Sequence, residues 1–163
     1  MSVADEYLYN NAAYAQRYSD PMSGRPSRHV AVVACMDARL AVSDLLGLGN
    51  GEAHVIRNAG GVVTDDVIRS LAISQRLLGT TEIILIHHTA CGMLNVTDDS
   101  FKQIIADDTG LRPPWAVEAF TDVEEDVRQS RARILASPYI PHKDDIRGFV
   151  FDVATGKLNE VTG

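Results

Sequence analysis

Three short, nearly unbroken apolar runs stand out along the chain: HVAVVA at 29–34, AHVIR at 53–57 and EIILIH at 82–87. Runs of this length, rich in valine and isoleucine, read as strands buried on both faces. Between the second and third runs, Val67, Ile68, Leu71 and Leu77 or Leu78 recur at helical spacing. They lie behind a Thr64 N-cap with two acids and ahead of Gly79, which predicts a crossover helix. Residues 40–47 read as a short helix and about 100–107 as another. Over 121–136, Thr121 and Glu124 have capping-box spacing, acids fill the first turn, and Arg128, Arg131 and Arg133 follow in line with the helix dipole; Pro138 stops the helix. Arg147–Val153 reads as a further strand before a Thr-Gly turn. Residues 4–18 place Leu8, Ala12 and Ala15 at helical spacing near Tyr7 and Tyr14, ahead of a Pro/Gly/Ser loop at 19–27, so a peripheral helix is expected there.

Strands joined by helices define the class as α/β, with a mainly parallel sheet of about four to five strands flanked by helices. At 163 residues the chain is long enough for one domain and too short for two separate cores, so residues 1–163 are read as a single domain. In such sheets ligands collect beyond the carboxyl ends of the strands, where neighbours diverge. Adjacency of the first and third strands is therefore the prediction on which any site between them depends.

Charge narrows the function. The chain carries 15 basic against 22 acidic residues, a net −7, with no basic tract, which argues against a nucleic-acid partner. The first twenty residues lack a basic n-region and an apolar h-region, and no stretch approaches eighteen uninterrupted apolar residues. A soluble, cytoplasmic protein without a membrane partner is the expectation. Two cysteines in such a chain are more often reduced, catalytic or metal-bound than a structural disulfide.

Both cysteines lie at the ends of apolar runs: Cys35 opens Cys35-Met36-Asp37-Ala38-Arg39, and Cys91 closes His88-Thr89-Ala90-Cys91. Cys35, His88 and Cys91 make a Cys₂His set, the ligand count of a zinc site that keeps its fourth position open. Taken singly, Cys35 reads more readily as a packed thiol, and it is the combination with His88 and Cys91 that points to a metal. Asp37 either coordinates the metal itself, closing the site, or accepts a bidentate pair from Arg39 and leaves the position for water; a solvated turn pair is the bland alternative. His87 should point to the opposite side of its strand and serve in packing or hydrogen bonding. His29, His54 and His142 show no partner pattern.

The pattern C-x-D-x-R followed by H-x-x-C resembles the β-class carbonic anhydrases. Arg57-Asn58-Ala59-Gly60-Gly61 is similar to that family's loop after the second strand, Ser70 to Gly92 to its helix, strand and H-x-x-C-G loop, and Gly148–Leu158 to its closing strand and turn. The resemblance implies one zinc per chain on Cys35, His88 and Cys91, an Asp37–Arg39 dyad, and reversible hydration of carbon dioxide to bicarbonate and a proton. It also implies a homodimer or larger homo-oligomer, with the N-terminal helix and its tyrosines at 7, 9 and 14 as a candidate arm, and a closed form at lower pH with Asp37 on zinc. Two thiolates make zinc a weaker Lewis acid than three histidines do, so activity should rise toward alkaline pH. Gly60 and Gly61 are candidates for substrate binding through backbone N–H groups, because glycine permits close approach. Two departures stand out: no Gln matches the plant-type position near Gly24-Arg25-Pro26, and Met93 follows Gly92 where many members have a second glycine. Alternative functions are hydrolysis of carbon disulfide or carbonyl sulfide, and a non-catalytic Cys₂HisAsp zinc protein. A thiol redox protein lacks its C-x-x-C pattern.

Overall fold

A computed structural model of the chain describes residues 2–19 and 23–163. Five strands, β1 (Val30–Cys35), β2 (Ala53–Asn58), β3 (Glu82–His88), β4 (Asp145–Phe151) and β5 (Leu158–Val161), form one sheet in the order β2-β1-β3-β4-β5. The first four are mutually parallel, and β5 returns antiparallel to β4. The α/β class and the adjacency of the first and third strands stand as expected. The turn after β4 stands at the Thr-Gly signal, where Asp152 accepts from the Ala154 amide at 2.9 Å, whereas β5 beyond it was not predicted.

All six residues of β1 are buried, as the unbroken apolar run requires for a central strand. Alternate side chains feed two cores. Ala31, Val33, Ile83 and Leu85 pack with Leu71 and Ile134, whereas Val32, Ala34 and Ile86 pack with Leu40, Val62 and Phe120 around the two cysteines. Each fully buried Leu or Ile in these layers contributes about 1.5–3 kcal/mol.

The helices are α1 (Val3–Ala15), α2 (Val42–Leu46), α3 (Asp65–Leu78), α4 (Asp98–Thr109) and α5 (Val123–Ala136). Thr64 and Gly79 cap α3 as predicted. At α5 the capping assignment shifts by one residue: Asp122 Oδ1 accepts from the Glu124 and Glu125 amides at 2.9 and 3.0 Å. A carboxylate is the stronger acceptor for these donors, so the Thr121–Glu124 box does not form. Nor do the α5 arginines act mainly on the dipole. Arg131 reaches the Ile146 carbonyl, and Arg133 holds Glu118 bidentately at 3.0 and 2.9 Å. Helix α1 has no buried residue; Tyr7, Leu8 and Tyr9 are 66%, 69% and 78% exposed. The predicted loop at 19–27 lies partly outside the described residues.

Asp98 fastens the long segment before α5 to the first turn of α4, accepting from the Val117 and Ala119 amides at 2.8 and 3.1 Å. The Ala119 amide foremost, with those of Val117 and Glu118, holds the Asp98 carboxyl below its ordinary range. A depressed folded-state pKa adds stability that is present above the unfolded value and lost as pH falls through the folded one. Asp98→Asn is therefore expected to cost about 1–3 kcal/mol at neutral pH. The difference from the parent should shrink below about pH 4, which urea denaturation at the two pH values checks.

Candidate metal centre

Strand β1 ends at Cys35 and β3 at His88, and the register that sets Ala34 opposite Ile86 brings these two ends side by side. Beyond His88 the chain turns through Thr89 and Ala90, whose φ of 52° is left-handed, and returns Cys91 to the same spot. The donor atoms of Cys35, His88 and Cys91 all lie within 4.8 Å of one another, and the three residues are 3%, 0% and 2% exposed.

The donors are prepared for a cation. His88 Nδ1 donates to the Thr89 carbonyl at 2.9 Å, which leaves Nε2 as the bare lone pair; that atom is buried and has no hydrogen-bond partner among the described residues. An orphaned buried acceptor aimed at two sulfurs is costly unless something fills the space. The Cys35 thiol is pushed down, chiefly because Cys91 donates to its sulfur, with help from His88 and the Asp37 and Gly60 amides; Cys91 is correspondingly pushed up. The two sulfurs and His88 Nε2 thus surround the position a divalent ion would take. Burial pushes His88 down, but the Cys35 sulfur, the Thr89 carbonyl and the Cys35 and Asp37 charges outweigh it, and the net shift is upward.

Asp37 borders this cluster without joining it. Arg39 Nε and Nη2 donate to its Oδ1 and Oδ2 at 2.9 and 2.8 Å, and the Arg39 amide adds a third bond to Oδ1 at 2.9 Å. These hydrogen bonds hold the Asp37 carboxyl well below the usual carboxylate range. Its Oδ2 lies 3.6 Å from His88 Nε2, beside the position the three donors surround. Arg39 Nη2 also donates to the Ala90 carbonyl at 3.1 Å, so the dyad is tied to the loop between the second and third donors.

Some contributors were not singled out in the sequence. Arg57 Nε donates to the Cys35 carbonyl at 3.0 Å and Nη2 to the Asp37 carbonyl at 2.8 Å, while the Met36 amide donates to the Asn58 carbonyl at 2.8 Å. Only the resemblance drew attention to Arg57, and no local pattern announces its role. Asp126, across the sheet, accepts from His87 Nε2 at 2.6 Å, which gives His87 the opposite-face hydrogen bond expected of it. Gly60 and Gly61 lie in a tight 3₁₀ turn with φ of 81° and 73°. A Cβ on Gly61 would lie 2.8 Å from the Cys35 nitrogen, and one on Gly60 3.1 Å from Phe120. Met93 closes on the same turn, 3.2 Å from that Gly60 position.

A parallel α/β sheet with a Cys₂His donor set and a carboxylate–guanidinium dyad at its strand ends defines a metal-dependent enzyme architecture. The sequence profile of the carbonic anhydrase family matches residues 30–133. β-Carbonic anhydrase 1 of Mycobacterium tuberculosis is 64% identical over 162 residues, covering 99% of each chain. The crystal structure of carbonic anhydrase from Streptococcus mutans superposes with a TM-score of 0.93 at 43% identity, covering 99% of each chain. A carbon disulfide hydrolase of Acidithiobacillus thiooxidans is 35% identical, covering 81% of this chain and 76% of its own. The chain belongs to the β-carbonic anhydrase family.

The glycine turn yields a direct test. Gly61→Ala adds a methyl group against backbone, which does not yield as a side chain end does, at about 1–3 kcal/mol, and places a side chain at left-handed φ for about 1–2 kcal/mol more. Gly79→Ala, whose Cβ position is open, carries only the left-handed penalty. Paired urea melts should rank Gly61→Ala clearly below Gly79→Ala.

Proposed function

We propose that this chain is a zinc-dependent carbonic anhydrase that reversibly hydrates carbon dioxide to bicarbonate and a proton. The observation that carries the reading is the buried, unpartnered His88 Nε2 facing two sulfurs, with Asp37 held aside by Arg39 so that one position is left for water. Two cysteines and an imidazole are donors of the softness and number that suit tetrahedral zinc with one open site. Cys35, Cys91 and His88 Nε2 would hold the ion. When bound, zinc supplies the Lewis acidity that makes water a nucleophile near neutral pH.

The chain's own groups do the rest. With the metal bound, Asp37 Oδ2 would accept a hydrogen from water in the position Arg39 keeps clear of the carboxylate, and so orient that oxygen toward the substrate. Because Arg39 keeps Asp37 ionised well below neutrality, the carboxylate acts as an acceptor, and the proton released in each turnover passes to buffer. Val62, Ile86, Phe120 and Phe151 pack around the cysteines and limit water there, an environment suited to a small apolar electrophile. Backbone N–H groups of the Gly60–Gly61 turn are assigned to the product oxygens, the glycines themselves being required by the closeness of Cys35, Ile86 and Phe120. Should Asp37 leave Arg39 at lower pH and take the fourth position itself, it would close the site and silence the enzyme. Carbon disulfide hydrolysis is the second reading, favoured by the 35% identical relative.

We further infer that residues 1–163 form one domain that works as a homo-oligomer in the cytoplasm, with residues 1–27 as an arm laid on a second copy. Supporting this are the exposed Tyr7, Leu8 and Tyr9 on a helix that buries nothing in its own domain. Two free, adjacent cysteines suit a reducing compartment. Among the described residues no helix is long and apolar enough to cross a membrane.

Stopped-flow hydration of carbon dioxide by the zinc-loaded protein should show turnover that grows from neutral to alkaline pH and disappears in Cys35→Ser. Activity confined to carbon disulfide or carbonyl sulfide, or none at any pH with zinc bound, overturns the assignment. Removing residues 2–18 should lower the sedimentation-derived mass to that of a smaller assembly while far-ultraviolet circular dichroism keeps its strand signal. A parent protein that already sediments as a monomer would refute the arm.

A further inference from the structure

Cys35 and Asp37 flank the exposed Met36 just where β1 leaves the sheet, so their carbonyls have no strand ladder ahead of them. Backbone polar groups in such a place must find other partners or water. Here the partners come from the last two residues of β2. One guanidinium, Arg57, donates to both carbonyls, at 3.0 Å to Cys35 and 2.8 Å to Asp37, and the Asn58 carbonyl accepts the Met36 amide at 2.8 Å. The Asp37 carbonyl also accepts the Leu40 amide at 3.0 Å, which starts the turn toward Arg39. The Asp37 side chain, by contrast, is 21% exposed and held by Arg39 alone. Its main chain is fixed from one side and its carboxylate from the other.

We propose that Arg57 is a positioning residue: by bridging the Cys35 and Asp37 carbonyls it sets the main chain so that the Asp37 carboxylate faces Arg39 rather than the metal position. Arg57 has no ion pair with Asp37 or any other carboxylate among the described residues; its reach into the site is entirely through backbone oxygens. Only a planar fork matches two carbonyls two residues apart; a lysine ammonium keeps the charge but presents it as a point. Without the fork the Cys35–Asp37 turn gains freedom, and Asp37 Oδ2, already 3.6 Å from His88 Nε2, lies close enough to enter the donor set. This inference rests on the carbonic anhydrase reading for its kinetic consequence but not for its geometric one.

The test uses the full chain with zinc or cobalt(II), in the parent, Arg57→Lys, Asp37→Asn and the double variant. At one alkaline pH, Arg57→Lys should lower kcat by about tenfold to a hundredfold, the scale of a small misplacement. KM for carbon dioxide should stay within about twofold, since uniform binding is untouched. The cobalt(II) visible absorption of Arg57→Lys should differ from that of the parent, whereas the double variant should match Asp37→Asn, because a residue acting through Asp37 has nothing to act on once that carboxylate is gone. Unchanged kcat and spectrum in Arg57→Lys, or an equal spectral change with and without Asp37, overturns the proposal. Should Arg57→Lys fail to fold, Arg57→Gln is read by the same criteria. Absence of hydration in the parent would strike the activity assignment alone, since the cobalt comparison is made without substrate.

Discussion

Parallel pairing of β1 with β3, with Ala34 opposite Ile86, is the constraint from which the rest of this molecule follows. Side chains along a strand alternate, so a slip of one residue in β3 would send His88 to the opposite face; Cys35, one past the last β1–β3 pair, packs with Ala34 and Ile86 rather than with Val33. The slip is prevented by what the same alternation buries: Val33, Ile83 and Leu85 belong to one core, and Val32, Ala34 and Ile86 to the other. Hydrophobic burial on two faces thereby fixes the end of β3 that carries His88 beside the end of β1 that carries Cys35. Gly61 reinforces the same register from above, lying so close to the Cys35 nitrogen and the Ile86 carbonyl that no side chain fits between.

Electrostatics at this end of the sheet has a single logic: negative groups are concentrated, then each is given one defined partner. Arg39 takes Asp37, Cys91 faces Cys35, and the bare lone pair of His88 is left facing both sulfurs. A divalent cation held by Cys35, His88 and Cys91 would satisfy all three donors together, while the Arg39 fork keeps the remaining carboxylate out of the set. Because the fork also reaches the Ala90 carbonyl, the loop bearing Cys91 and the turn bearing Asp37 cannot move independently.

The sequence disclosed the strands and the donors for the same reason. β1 and β3 are buried on both faces, so their apolar runs are unbroken, and a cysteine or histidine at the end of such a run is conspicuous. Helix α3 was legible to the residue because its caps, Thr64 and Gly79, do local work. What stayed hidden depends on partners far along the chain. Arg57 reads as an ordinary strand residue until β2 lies beside β1, and Asp126 reads as a first-turn acid of α5 until His87 is found 2.6 Å away. The one-residue shift of the α5 cap to Asp122 has a different origin: two competing oxygens sit side by side, and spacing alone does not rank them. Strand β5 escaped notice because its four residues, half exposed, lack the pattern of a buried strand.

The consecutive histidines show how far the site depends on groups outside it. His88 serves the donor set, and His87, one residue earlier, turns to the other face and is tied to α5 through Asp126, both side chains buried. A buried polar group without a partner is costly, so this bond fixes where α5 docks against the carboxyl end of β3. From α5, Arg133 holds Glu118, and from α4, Asp98 holds the amides on either side of it, which sets Phe120 against the His87 ring at 5.9 Å. Phe120 in turn closes on Gly60, whose amide serves the Cys35 sulfur. The two faces of β3 are thus joined through one aromatic ring, and the thiolate environment is shaped by packing that begins at a carboxylate on the far side of the sheet.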